Sequence, residues 1–232
     1  MNWSKQLPKL SRLLFPDPIT CLGCRTNLLA VQEFLLCEDC YRTLVESRAP
    51  QYYRFQTNGD ELKLLPCSAE QREILCLYPY SKILQRLIHA YKFQHYKDCA
   101  RLLADSISFE LARLNADCIV PIPSTKTSCR EKGFDQMVHL AQELSQITGL
   151  PLIKDALQRM KNNRHQVGLR RQERLLNVKD NFLCTQSLPG MRALLLDDVL
   201  TTGATVYYAR KALQEKGASV IIATLAHARA GN

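Results

Sequence analysis

The chain of 232 residues has no apolar run approaching a bilayer span, which needs about 18 residues. It also lacks the layout of an export signal. Lys5, Lys9 and Arg12 interleave with Leu7, Leu10, Leu13 and Leu14, Pro8 interrupts them, and no cleavage site follows. A cytoplasmic protein is the expectation. Internal repeats and low-complexity tracts are missing, so neither a repeat array nor a biased linker dominates the design. Acids are the scarcer charge, 22 against 31 Lys and Arg, for a net +9. That surplus suits an anionic partner and does not choose among nucleic acid, polyphosphate and membrane surface.

Cysteine, by contrast, is abundant at ten. Its spacing argues against a disulfide set. Cys21-x2-Cys24 and Cys37-x2-Cys40 form paired knuckles, while Cys67, Cys76, Cys99, Cys118, Cys129 and Cys184 are scattered. In a chain without an export signal such knuckles favour zinc. The apolar residues around them, Leu28, Leu29, Val31, Phe34, Leu35 and Leu36, are too few for an independent core. Tetrahedral ligation by Cys21, Cys24, Cys37 and Cys40 would supply the missing stability, about 10–16 kcal/mol for structural zinc.

The most informative stretch runs from Ala193 to Thr205 and reads ALLLDDVLTTGAT. An apolar run breaks into adjacent carboxylates, Asp197 and Asp198. A small hydroxyl- and glycine-rich turn follows, Thr201-Thr202-Gly203-Ala204-Thr205, and then a helix-like segment. The pattern predicts strand, acidic edge, turn and helix N-terminus. Unsatisfied backbone N–H groups and the positive end of the helix dipole make that junction an anion site. The carboxylates before it suit sugar hydroxyls or a metal. Together the two features suit a phosphorylated sugar.

Periodicity divides the chain into an N-terminal helix and cysteine module over 1–48, a polar linker or loosely packed insertion over 49–72, and an α/β domain over 73–232. In the last, strands are expected over 74–80, 117–122, 192–198 and 219–226. Helices are expected after Ser81 and over 98–114, 135–148 and 205–216. Alternating strands and helices imply a mainly parallel sheet covered on both faces. Its ligands bind beyond the carboxyl ends of the strands.

Two basic stretches stand out. Lys126, Arg130 and Lys132 crowd the loop after the strand over 117–122. They suit a pyrophosphate; a solvated loop tip is the plain alternative. Residues 159–174 hold Arg159, Lys161, Arg164, Arg170, Arg171 and Arg174 against one acid, Glu173. Such a stretch suits a loop that folds over an anionic substrate or meets a phosphate backbone. It offers no aromatic ring for bases to stack on, and its His165 reads as a surface residue.

ALLLDDVLTTGAT resembles the signature of type I phosphoribosyltransferases: apolar residues, two acids, a small or apolar pair, then a Thr/Gly loop. Four further landmarks make the chain similar to the ComF/GntX-type family. They are the CxxC pair, YPYSKILQRLIHAYKFQ over 78–94 with its Lys92-Phe93, VPIPSTKTSCREKGFDQ over 120–136, and LQRMKNNRHQVGLRRQERLLNV over 157–178. Lys132 and Asp135 depart from the family's usual arginine and asparagine. Thr201 stands where many purine enzymes carry an aspartate base.

The resemblance implies a type I phosphoribosyltransferase-like parallel sheet flanked by helices, with an N-terminal four-cysteine, zinc-ribbon-like module. It implies that Thr201, Thr202, Gly203, Ala204 and Thr205 hold the 5′-phosphate of phosphoribosyl pyrophosphate (PRPP), and that Asp197 and Asp198 meet the ribose hydroxyls. Lys126, Arg130 and Lys132 would face pyrophosphate, with Mg²⁺ accompanying PRPP. One implied role is handling incoming single-stranded DNA in natural transformation, alongside other DNA-uptake proteins. Arg159, Arg164, Arg170, Arg171 and Arg174 would then contact the strand. The other is transfer of a phosphoribosyl group to a nucleobase-like acceptor. No general base or acceptor pocket is evident in the sequence, so turnover stays open.

Overall fold

The computed structural model describes residues 20–28, 35–59, 61–93, 98–160 and 182–228. The helix expected near the N-terminus and most of the basic stretch, with Arg164, His165, Arg170, Arg171 and Arg174, lie outside the described residues.

Four strands carry near-continuous apolar runs: β3 (Ile74–Pro79), β4 (Cys118–Pro121), β7 (Arg192–Leu200) and β8 (Ser219–His227). Strands of that composition belong in a parallel sheet buried on both faces. Here β3, β8, β7 and β4 pair in that order, all parallel. On one face lie α2 (Lys82–Phe93), α3 (Asp98–Ala112) and α5 (Gln136–Thr148). Their Leu84, Leu87, Leu103, Ile107, Leu140 and Leu144 bury against Leu194, Leu196 and Ala223. On the other face α6 (Ala204–Gln214) sets Val206, Ala209 and Leu213 on Val120, Leu195 and Ile222. Leu157 and Phe182 join that face from a two-stranded antiparallel sheet of β5 (Leu157–Arg159) and β6 (Phe182–Cys184). Helix ends follow local chemistry. Ser81 Oγ accepts the Leu84 N–H at 3.3 Å, Asp135 caps α5, and Gly149 ends it at φ 74°.

The segment over 49–72 is not a linker. Strands β1 (Gln51–Asn58) and β2 (Glu61–Pro66) form a hairpin, and β1 pairs antiparallel with β3. The sheet therefore has six strands and is mixed, in the order β2-β1-β3-β8-β7-β4. Polar Gln51, Arg54, Gln56, Thr57 and Asn58 hid the hairpin, because a hairpin added at the margin of a sheet and solvated on one face needs little apolar content. It folds over α6. Phe55 meets the Tyr207 ring edge-on at 5.0 Å, and its N–H donates to Glu73 Oε2 at 2.6 Å. Arg210 donates to Glu73 Oε1 at 2.5 Å and lies over the Phe55 ring.

The cysteine module ends in α1 (Glu38–Glu46). Leu36 and Leu44 join the same buried cluster as α2 and α3, and Arg86 of α2 donates to the Gly23 carbonyl. The module is thus seated on the helix that reaches the acidic edge.

Glu73 joins the hairpin, the start of β3 and α6. Glu73→Ala leaves Arg210 without its carboxylate and the Phe55 N–H without an acceptor. It should cost about 1–3 kcal/mol, measured by urea unfolding; a loss below about 0.5 kcal/mol would show that the junction contributes little.

Candidate functional site

Strand β7 delivers Asp197 and Asp198 to its carboxyl end, and successive strand residues face opposite sides of a sheet. The two acids therefore meet different layers. Asp198 turns to the helical face, where Lys92 in the last turn of α2 forms an ion pair with it. Asp197 turns to the other face, toward Arg159 of β5, whose charge acts on it. Arg159 is held by its Nε–H, donated to the Pro123 carbonyl at 2.8 Å, and by the Phe182 ring 4.8 Å below its guanidinium. Burial lowers the Arg159 pKa, while Asp197 and Asp135 act to restore it. Burial pushes the Asp197 carboxyl up to about 7, and the charge of Asp198 adds to this; the Asp198 N–H, Lys92 and Arg159 oppose it. The Asp198 N–H donates to Asp197 Oδ1 at 2.9 Å, and the Val199 N–H to Asp198 Oδ1 at 2.6 Å.

Beyond Leu200 the chain turns through Thr201 and Thr202 into Gly203, the N-cap of α6 at φ 79°. Thr202 Oγ1 accepts the Ala204 N–H at 3.4 Å. A concavity of about 180 Å³ opens here, lined by Asp197, Val199, Leu200, Thr201, Gly203, Thr205 and Val206. That figure includes space open to solvent, so the concavity is a shallow depression at the strand end. An α6 of eleven residues supplies first-turn N–H groups and a dipole aimed at it. Leu64 of β2 closes the loop from behind: a Cβ added to Gly203 would stand 2.9 Å from its Cδ2.

The cations expected in a loop sit instead on a short helix, α4 (Lys126–Lys132). Thr125 Oγ1 starts it by accepting the Ser128 N–H at 3.2 Å, and Gly133 ends it at φ 76°. Lys126 and Arg130 are exposed and one turn apart. Asp135 joins the two ends of this segment. It accepts the Ser124 N–H at 2.9 Å and hydroxyl at 3.0 Å while capping Met137 and Val138. Next to it, the Gln136 Nε2 group donates to the Tyr91 carbonyl at 2.7 Å, and the Tyr91 hydroxyl donates to the Gln136 carbonyl at 2.5 Å. This reciprocal lock fixes the turn that carries Lys92. Sequence reasoning noted Lys92 only as a motif residue and missed Leu64 entirely.

The Sγ atoms of Cys21, Cys24, Cys37 and Cys40 lie within 4.8 Å of one another, with Cys24 and Cys37 at 3.7 Å. Thiolates on a tetrahedral zinc stand about 3.8 Å apart, so the four fit such a metal. Cys21 Sγ also accepts the N–H groups of Gly23 at 3.3 Å and Cys37 at 3.2 Å, which stabilises a thiolate.

The family model described as phosphoribosyl transferase domain matches residues 93–232. Competence protein ComFC of Bacillus subtilis is 28% identical over 91% of this chain and 85% of its own length. Competence protein F of Haemophilus influenzae is 29% identical over 87% and 86%, and DNA utilization protein YhgH of Escherichia coli 26% over 88% and 94%. Among solved structures, UMP synthase of Leishmania donovani aligns at TM-score 0.40 and 18% identity, over 82% of this chain and 31% of that one.

Folding raises Asp197 from the usual value near 3.9 to about 7. A carboxylate shifted that way withdraws stability as pH climbs from about 4 to about 7, and the loss is complete above 7. Asp197→Asn carries no charge. Its melting temperature should gain on the parent between pH 5 and pH 8, by about 2–4 °C for each kcal/mol relieved. Thermal scans at both pH values check this; a pH-independent gap would contradict the buried charge.

A Cβ at Gly23 would stand 2.7 Å from Cys40 Sγ. Gly23→Ala should therefore lower bound metal well below the parent's level in elemental analysis. Full metal content in the variant would sink the four-cysteine geometry.

Proposed function

The chain belongs to the phosphoribosyl transferase domain family, in its ComF-type branch, and from that premise we propose that it binds PRPP with Mg²⁺ and serves the handling of incoming single-stranded DNA in natural transformation. The observation that carries this reading is the sharing of one concavity by Asp197 with Thr201, Gly203 and Thr205 of the turn. The backbone N–H groups at the start of α6 and the hydroxyls of Thr201, Thr202 and Thr205 would take the 5′-phosphate. Asp197, which lines the concavity, would accept from one ribose hydroxyl, and Asp198, outside that lining and on the opposite face, would meet the other across the carboxyl end of β7. The elevated Asp197 carboxyl fits this role, because its burial beside Asp198 leaves a charge that a hydroxyl donor or a cation arriving with the ligand relieves. Mg²⁺ would neutralise the ligand's pyrophosphate. Lys92 holds Asp198 in place and Arg159 offsets Asp197. Lys126 and Arg130 would supply further positive charge toward the pyrophosphate, as would Lys132, whose side chain lies outside the described residues. The four cysteines would hold structural zinc.

The reading stops short of turnover. Thr201 has no basic group. The competence names of the relatives support the DNA role, and the +9 charge agrees with it. Binding of single-stranded DNA would then fall with salt, log K dropping by about 0.7 per phosphate contact for each log unit of salt.

Calorimetry with Mg–PRPP tests the ligand site. Binding is expected in the parent, with at least tenfold weaker binding in Asp198→Asn; equal affinity in the two would sink the assignment. A fluorescent single strand titrated at rising salt tests the DNA role, which a flat salt response would exclude. A nucleobase panel should release no pyrophosphate from PRPP; release above the no-acceptor control would replace this reading with phosphoribosyl transfer.

A further inference from the structure

The four cysteines of the N-terminal module are not equivalent. Cys21 and Cys40 are buried, Cys37 is half-buried and Cys24 is exposed. Cys21 Sγ is held inward by three backbone donors, the N–H groups of Cys37 at 3.2 Å, Gly23 at 3.3 Å and Cys24 at 3.5 Å. Cys40 packs against Gly23, where a Cβ would stand 2.7 Å from its sulfur. Cys24 Sγ instead meets Thr26 Oγ1 at 3.1 Å and Cys37 Sγ at 3.7 Å. Arg25 follows it and is also exposed; a neighbouring cation favours the reactive thiolate. A solute in water therefore reaches Cys24 first, and the half-buried sulfur beside it belongs to the other knuckle.

We propose that Cys24 is a site of oxidation by hydrogen peroxide and that Cys37 resolves it, joining the two knuckles by a Cys24–Cys37 disulfide and releasing the metal. The Cys24 thiolate attacks one peroxide oxygen. An S–O bond forms as the O–O bond breaks, and the departing hydroxide takes a proton to become water. Cys24 is then a sulfenic acid, and the peroxide has accepted its two electrons. The Cys37 thiolate attacks the Cys24 sulfur. The S–S bond forms as the S–O bond breaks, and the second hydroxide takes a proton and leaves as water. Each disulfide consumes one peroxide and two protons. Cys21 and Cys40 remain, half of a tetrahedral set, so the metal is lost.

The alternatives within a knuckle are disfavoured by the same contacts. A Cys21–Cys24 link pulls the Cys21 sulfur off its backbone donors. A Cys37–Cys40 link uses a sulfur closed off from solvent. The two knuckles are also joined without a metal, since the Leu22 N–H donates to the Leu35 carbonyl at 2.9 Å. Arg86 holds the Gly23 carbonyl from α2. The oxidised module keeps its seat, which makes the change reversible by a thiol reductant. The inference rests on the zinc reading only for the metal; the choice of sulfurs stands on their exposure and spacing.

The test is a titration of the zinc-loaded full chain with hydrogen peroxide. Released metal is read with a chromophoric chelator, sulfenic acid is trapped with dimedone, and peptides are mapped by mass spectrometry without reduction. Cys24–Cys37 should exceed every other linked pair at least about fivefold, with about one zinc released per chain. Dithiothreitol and fresh zinc should restore the metal. The double variant Cys67→Ser/Cys129→Ser removes the half-buried cysteines outside the cluster. It should release metal within about twofold of the parent's rate. Dominant Cys21–Cys24 or Cys37–Cys40 links, a sulfenic acid trapped at another cysteine in place of Cys24, or metal retained in about tenfold excess peroxide overturns the proposal. So does a double variant that no longer responds. A chain that takes up no zinc yet forms the Cys24–Cys37 link overturns the zinc assignment alone.

Discussion

Two negative charges on consecutive residues of a buried strand would ordinarily be a defect. Asp197 and Asp198 are tolerated because the pleat sends them to opposite faces of the sheet, each toward a different cation. Asp198 receives Lys92 from the helical layer, and Asp197 feels Arg159 from the small β5–β6 sheet. Much of the architecture around the edge serves this separation. The Tyr91–Gln136 lock fixes the end of α2, and the Pro123 carbonyl with the Phe182 ring fixes Arg159. Neither cation removes the cost fully, since the Asp197 carboxyl stays far above its usual range. That residual strain is the electrostatic pattern by which functional edges differ from purely structural ones.

The signature strand, its turn and the following helix were legible in sequence because all three signals are local: an apolar run, a pair of acids, and a Gly-containing turn before a helical period. The cysteine cluster was legible for the same reason, its ligand spacing surviving as the 4.8 Å grouping of sulfurs. Long-range partners were not. Nothing near Asp198 names Lys92, and nothing near Gly203 names Leu64. The hairpin over 51–66 was invisible because an edge strand covered on one side by α6 needs few apolar residues. The short helix at Lys126–Lys132 read as a loop because its residues are mostly polar and exposed, leaving no buried stripe to show the period.

Helix α2 connects the two chemically distinct ends of the molecule. Near its start Arg86 donates to the Gly23 carbonyl within the cysteine module, and in its last turn Lys92 meets Asp198. Its inner face, with Leu84, Leu87 and Ile88, is fully packed in the cluster that also holds Leu36 and Leu44. A helix so buried moves as a unit, because close-packed interiors transmit displacement rather than absorb it. The placement of one cation at the acidic edge therefore depends on how the cysteine module is seated.

The contact between Leu64 and Gly203 bears on how such sites can be moved between proteins. The leucine fills the space that a side chain at 203 would need, so the two positions share one volume although a long stretch of chain divides them. Thirteen residues copied into a foreign sheet would bring the acids, the threonines and the turn, but not the hydrophobic wall behind the turn. The motif is portable as text and not as an object: a graft that omits the β1–β2 hairpin would leave its loop unsupported on the side away from the ligand.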